Sequence, residues 1–168
     1  MKKIVYVFAL LGIVACQQNK IAFVDNVKLM DEYQEKMDAE AKFKTKAEAI
    51  GKKRDSISQA FQLEAQAFQV KAQKMPTKKA QEEYALFQQR GQFIGQQLQQ
   101  EEQQLQAASQ TEMDSIVSKV KKEIKDYGKA NGYNYILGGG AGGSVIYGDE
   151  ASDVTDVILK SLNDKYKK

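Results

Sequence analysis

The sequence holds no histidine, no tryptophan and a single cysteine, Cys16. Imidazole triads, thiol–imidazole dyads and cysteine/histidine zinc sites therefore cannot be assembled from it. Carboxylates and lysines remain as reactive groups, but no constellation of them stands out, so the sequence predicts a non-enzyme with no catalytic residue, no metal and no cofactor. One further pattern has chemical meaning: G-x-G-x-x-G at Gly138, Gly140 and Gly143, after a strand-like run. Such glycines cradle a pyrophosphate only where they open a helix whose N-terminus faces it. Here the next segment, Val145-Ile146-Tyr147, reads as a strand, so a flexible strand connection is predicted and no nucleotide.

Cys16 stands at an informative place. Met1-Lys2-Lys3 precedes the apolar run Ile4 to Ala15. These are the charged and apolar regions of an export signal, and the run is shorter than the roughly 20 residues that span a bilayer. It closes on Ile13-Val14-Ala15-Cys16, which resembles a bacterial lipobox with Ile in the place of Leu. The reading is a lipoprotein signal peptide over 1–15, lipidation of Cys16, and a linker over 16–20. Acyl chains contribute roughly 0.8 kcal/mol per buried CH₂, enough together to hold the chain to a membrane. Gln17 to Lys20 reach about 14 Å at most, so the folded body is expected to lie against that membrane. By analogy with enteric sorting rules, Gln17 after the cysteine favours the outer membrane over the inner.

Charge narrows the partners. The formal +3 includes Lys2 and Lys3, and from Cys16 onward 23 basic residues face 22 acidic ones. A domain-wide basic face is the footprint of nucleic-acid binding, and a balanced chain predicts none. At 168 residues, with 42% hydrophobic and 28% charged residues, the chain suits one domain rich in exposed helix.

Ile21-Ala22-Phe23-Val24 reads as a short buried strand, and Asp25 or Asn26 could cap the helix after it. No convincing breaker follows until Pro76, apart from the tolerable Gly51. Leu29, Phe43, Ile50 and Ile57 share one heptad position; Tyr33, Ala47, Phe61, Phe68 and Met75 share the position four later. Lys36, Glu40, Arg54, Glu64 and Lys71 interrupt this seam, so the helix is expected to pack along only part of its length. Met75-Pro76-Thr77 is the predicted tip, because proline suits the first turn of a new helix. A second helix returns to about Tyr127 on Tyr84, Phe87, Ile94, Leu98, Leu105 and Ala108, with a phase shift before Met113. Folding at Pro76 sets Phe61 beside Gly91 and Ile57 beside Gly95, where glycine either makes room for large side chains or supplies a hinge. Eleven glutamines between 88 and 110 read as an uncharged solvated face. Beyond the hairpin, Tyr133 to Leu137 and Ser144 to Tyr147 read as strands, and Asp153 to Tyr166 as a helix burying Val154, Val157, Ile158 and Leu162.

From the lipobox through Ile21-Ala22-Phe23-Val24-Asp25, the charged hairpin and Tyr133-Asn134-Tyr135-Ile136-Leu137, the mature chain resembles the OmpH/Skp family. The closing Asp153-Val154-Thr155 with Leu162-Asn163 is the most specific match. The resemblance implies an α+β fold: a small β body, forming an intersubunit β-barrel in a homotrimer, with a long coiled-coil hairpin tentacle. It implies a body over 21–25 and 128–168, with candidate core or trimerisation residues Ile21, Phe23, Val24, Ile136, Leu137, Val145, Ile146, Tyr147, Val154, Val157, Ile158 and Leu162. The tentacle is then 26–127 with its tip near 76. The implied function is ATP-independent holding of unfolded outer-membrane β-barrel proteins in the periplasm, in a cavity between tentacles. Client contacts are expected from Phe61, Phe68, Met75, Phe87 and Ile94, and from the basic tip Lys71, Lys74, Lys78 and Lys79, which could also meet anionic lipid. The alternative is a lipid-anchored coiled-coil adaptor or spacer of the envelope.

Overall fold

In the computed structural model, which describes residues 19–167, the first element is strand β1, Ile21–Asp25, and the fifth is strand β2, Tyr135–Gly139. The two run parallel, Ile21 opposite Tyr135 through Asp25 opposite Gly139. Between them lie helices α1 (Asn26–Glu32), α2 (Gln34–Ala72) and α3 (Thr77–Ala130); after β2 come a 3₁₀ turn (Glu150–Ser152) and α4 (Thr155–Tyr166). The signal segment and Cys16 lie outside the described residues. The chain divides into two compact units: 19–30 with Lys121–Leu162, and Asp31–Val120 with 163–167.

The first unit is a minimal sheet closed by a docked segment. Asp25 starts α1, its Oδ1 accepting from the amides of Val27 (2.9 Å) and Lys28 (3.0 Å), a cap that satisfies otherwise orphaned N–H groups. Asp153, Val154 and Thr155 lie along the sheet: Phe23 bridges Asp153, and the Val154 amide donates to the Phe23 carbonyl at 3.0 Å. The Thr155 hydroxyl accepts from the Asp25 amide at 2.8 Å and donates to the Asp153 carboxylate, which also takes the Thr155 amide. Thr155 is only 1% exposed, and a buried hydroxyl must be bonded in this way. Val24, Val154, Ile158 and Leu162 are buried, together with Ala22, Leu29 and Leu159.

Several sequence expectations change here. The strand expected at Ser144 to Tyr147 reduces to a single bridge, Val145 with Gly139. Gly140 (φ 81°) and Gly142 (φ 82°) turn the chain back, with the Gly143 amide on the Gly140 carbonyl and the Ser144 amide on that of Gly138. Ile146 (100% exposed) and Tyr147 (85%) make no bridge among the described residues and lie outside the core of the single chain. The glycine run is thus a tight turn that opens no helix. Val157 is exposed because α4 begins at Thr155, which turns 158, 159 and 162 inward. Ile21 and Leu137 are also exposed, while Phe23, Ile136 and Val145 are half-buried.

In the second unit the unbroken helix expected from 26 to Pro76 is interrupted at Tyr33, whose backbone is extended (φ −74°, ψ 116°). Tyr33 is 2% exposed. The side chain of Asn163 straddles the gap: its Oδ1 accepts from the Gln34 amide at 2.9 Å, and its Nδ2 donates to the Glu32 carbonyl at 3.4 Å. The break is therefore made by a distant residue and was invisible to local pattern. Tyr166 stacks edge-on to Tyr33 at 6.5 Å and donates to Asp38 at 3.0 Å. At the other end the Ala80 amide bonds to the Pro76 carbonyl at 3.1 Å, so Pro76 caps α3.

Candidate functional site

No His, Cys, Asp and Glu cluster able to hold a metal is found among the described residues. The residues expected to meet a client lie on the hairpin formed by α2 and α3. Its two helices are held in antiparallel register by a ladder of ion pairs: Lys42–Glu112 (2.6 Å), Lys53–Glu101 (2.7 Å), Arg54–Glu102 (2.9 Å), Glu64–Arg90 and Lys71–Glu83 (2.9 Å). Arg54, Glu64 and Lys71 are among the residues that interrupted the heptad seam in the sequence, so their role is to pair across the hairpin. Each pair is exposed and contributes little by itself, but together they fix register. The hydrogen bond between Glu64 and Arg90 lowers the Glu64 pKa and raises that of Arg90.

The predicted aromatic candidates come together near the tip. Phe61 meets Phe87 at 5.0 Å between ring centroids, and Phe68 stacks on Tyr84 at 5.9 Å. The Arg90 guanidinium lies over both Phe61 (5.1 Å) and Phe87 (5.7 Å), a favourable cation–π arrangement. Phe61, Phe68, Phe87, Met75 and Ile94 are half-buried. Phe68 and Phe87 line a groove of about 370 Å³ with Ala67 and Leu86. Of the basic tip, Lys71 is committed to Glu83, whereas Lys74, Lys78 and Lys79 carry no such ion pair among the described residues.

Sequence reasoning missed four residues. Leu63 (67% exposed), Val70 (61%), Leu86 (65%) and Phe93 (58%) are large, apolar and largely in water. Leu63 and Val70 are seven apart on α2, and Leu86 and Phe93 seven apart on α3. Each pair therefore repeats on one side of its helix, off the packing seam. The available signal was an apolar heptad repeat two positions out of phase with Phe61 and Phe68.

An α+β chain with a parallel two-stranded sheet, into whose sequence a long antiparallel helical hairpin is inserted, defines a narrow structural class. The family model of outer membrane proteins (OmpH-like) matches residues 20–162, and the chain belongs to that family. Among solved structures it is similar to a candidate outer membrane chaperone (OmpH-like) from Caulobacter crescentus CB15, with TM-score 0.77 and 15% identity over 88% of this chain and 86% of that one. No curated protein matches the sequence.

Proposed function

We propose that this chain is an ATP-independent holding chaperone for unfolded outer-membrane β-barrel proteins. It acts as a homotrimer whose bodies (21–25 and 128–168) join in a β-barrel and whose hairpins (26–127) enclose the client. It is lipidated at Cys16 and held in the periplasm, at the outer membrane in preference to the inner. The observation that carries this reading is the apolar surface of the hairpin that its own packing does not use: Leu63, Val70, Leu86 and Phe93, each more than half exposed. Apolar patches on a soluble protein mark interaction sites. Weak contacts repeated over several arms gain from effective concentration without any nucleotide. The half-buried Phe61, Phe68, Met75, Phe87 and Ile94 add apolar contact along the hairpin seam, and Lys74, Lys78 and Lys79 steer acidic segments toward the hairpin.

The test is light scattering of the protein with an outer-membrane β-barrel diluted from urea, without ATP. The expected result is a trimer mass and a client that stays soluble. A variant with Leu63, Val70, Leu86 and Phe93 each changed to Ser keeps its helix content and loses about tenfold or more in client capture. A client that aggregates at the same rate with and without the protein moves the assignment to an anchored coiled-coil adaptor.

A further inference from the structure

A groove in the first unit carries positive charge that the chaperone reading leaves without a role. Lys121, Lys125 and Lys129 stand four residues apart on the last turns of α3 and line it together, with Tyr133 and Ile136. Spacing by four places them on one face over about 12 Å. Gly128 forms the floor, where an added Cβ would lie 3.2 Å from Ile136 Cδ1. Lys20 lies beside it: its ammonium is 4.2 Å from the ring centroid of the lining residue Tyr133 and donates to the Asn131 carbonyl at 2.9 Å. None of these four lysines has a carboxylate partner among the described residues, whereas neighbouring Lys122 holds Asp126 at 2.6 Å and Lys28 holds Asp156 at 2.6 Å. On α3 the nearby acids Glu123 and Asp126 are engaged elsewhere, Glu123 accepting from the Ser161 hydroxyl at 2.6 Å.

The chain enters β1 at this same end. The Lys20 carbonyl accepts from the Asn134 amide and its own amide donates to Asn134 Oδ1, both at 2.8 Å, and Lys20 is four residues from Cys16. A tether of four residues reaches about 14 Å. We infer that Lys20, Lys121, Lys125 and Lys129 form a docking face for the phosphates of an anionic lipid bilayer, so that the body is laid flat on the membrane by charge as well as held by acyl chains. The occupant is a lipid surface because the cations form a stripe about 12 Å long beside the tether, a shape that spans several headgroups. Stable anchoring commonly combines a lipid with a basic patch. The inference rests on the anchor at Cys16 proposed above.

The experiment is lysine acylation of the full lipidated chain, read by mass spectrometry, in phosphatidylglycerol-containing and in pure phosphatidylcholine vesicles. In the anionic vesicles Lys20, Lys121, Lys125 and Lys129 are expected to react about threefold or more slowly than in neutral ones, while Lys78 on the hairpin tip is unchanged. Raising salt to about 1 M, where the Debye length is about 3 Å, restores the rate. The variant Lys121→Gln/Lys125→Gln/Lys129→Gln, which leaves the buried core untouched, removes the protection of Lys20. Equal rates in both vesicles, with the protein still bound to each, overturn the docking face and leave the anchor standing. Protection by inorganic phosphate alone, without vesicles, also overturns it. A chain that floats only with anionic vesicles overturns the anchor and upholds the docking face; one that floats with neither overturns both.

Discussion

Gly91 and Gly95 lie one turn apart on α3, and their surroundings differ. A Cβ at Gly91 would come within 3.2 Å of Phe61 Cε1, while one at Gly95 would meet nothing within 4 Å. The pairing of Phe61 with Gly91 was legible in the sequence because antiparallel folding at Pro76 fixes it. Room for a side chain at Gly95 was not, since the same folding set Ile57 beside it, yet no atom lies within 4 Å of a Cβ there. Glycine inside a helix costs about 0.5–1 kcal/mol relative to alanine. Gly95→Ala is therefore expected to stabilise the chain by about that amount in urea unfolding. Gly91→Ala gains less than Gly95→Ala or loses stability, because the Phe61 ring must shift. A Gly95→Ala protein that is more stable yet captures client several-fold more weakly would identify Gly95 as a hinge.

At the scale of elements, the two paired strands and the helices were legible and their limits were not, while Ser144 to Tyr147, read as a strand, makes only one bridge. The hairpin, its tip and the amphipathic last helix follow from apolar period and from proline, both local signals. The break at Tyr33 does not, because its cause is the side chain of Asn163. The Leu162-Asn163 pair that carried the family resemblance thus has a physical role, since Asn163 caps the N-terminus of α2 from a distance. Asn163→Ala leaves the Gln34 amide without its acceptor, and a loss of about 1–2 kcal/mol is expected in urea unfolding. Asn163→Asp keeps the acceptor and costs less. Beside the break, Glu35 accepts from Lys119 and from the Tyr33 hydroxyl, each at 2.5 Å. Burial pushes the Glu35 carboxyl upward, but those hydrogen bonds and the Lys119 charge outweigh it and hold the pKa below the usual 4.5. A carboxyl depressed by folding adds stability above its unfolded pKa, and that stability fades as pH falls through the folded value. Urea midpoints measured downward from about pH 6 should therefore fall below about pH 4.5, and Glu35→Gln should flatten that limb. An unchanged acid limb in Glu35→Gln would assign it to other carboxylates.

For the whole molecule, the decisive feature is a sheet too small to stand alone. Two strands are marginal without a partner surface, and this pair leaves apolar side chains in water: Ile21 (48% exposed) opposite Tyr135 (60%), and Leu137 (42%) opposite Phe23. Ile146 and Tyr147, which the sequence marked as a strand, add two more exposed apolar groups with no partner strand in the described chain. A strand pattern that one chain leaves unpaired has a ready physical reading under the proposed trimer: its partner belongs to another copy, and closure between copies removes the open edges. On that reading the strand is written in the sequence but forms only in the assembly. The pair Ile146→Asp/Tyr147→Asp is the sharpest probe, because neither side chain supports the core of its own chain, so the hairpin and α4 should keep their helicity. At micromolar concentration, light scattering should give the monomer mass for this variant and three times that mass for the parent, with faster amide exchange in β1 and β2 of the variant. A variant that retains the parent mass would remove residues 144–147 from the interface and, with them, the strand that a barrel shared among subunits requires.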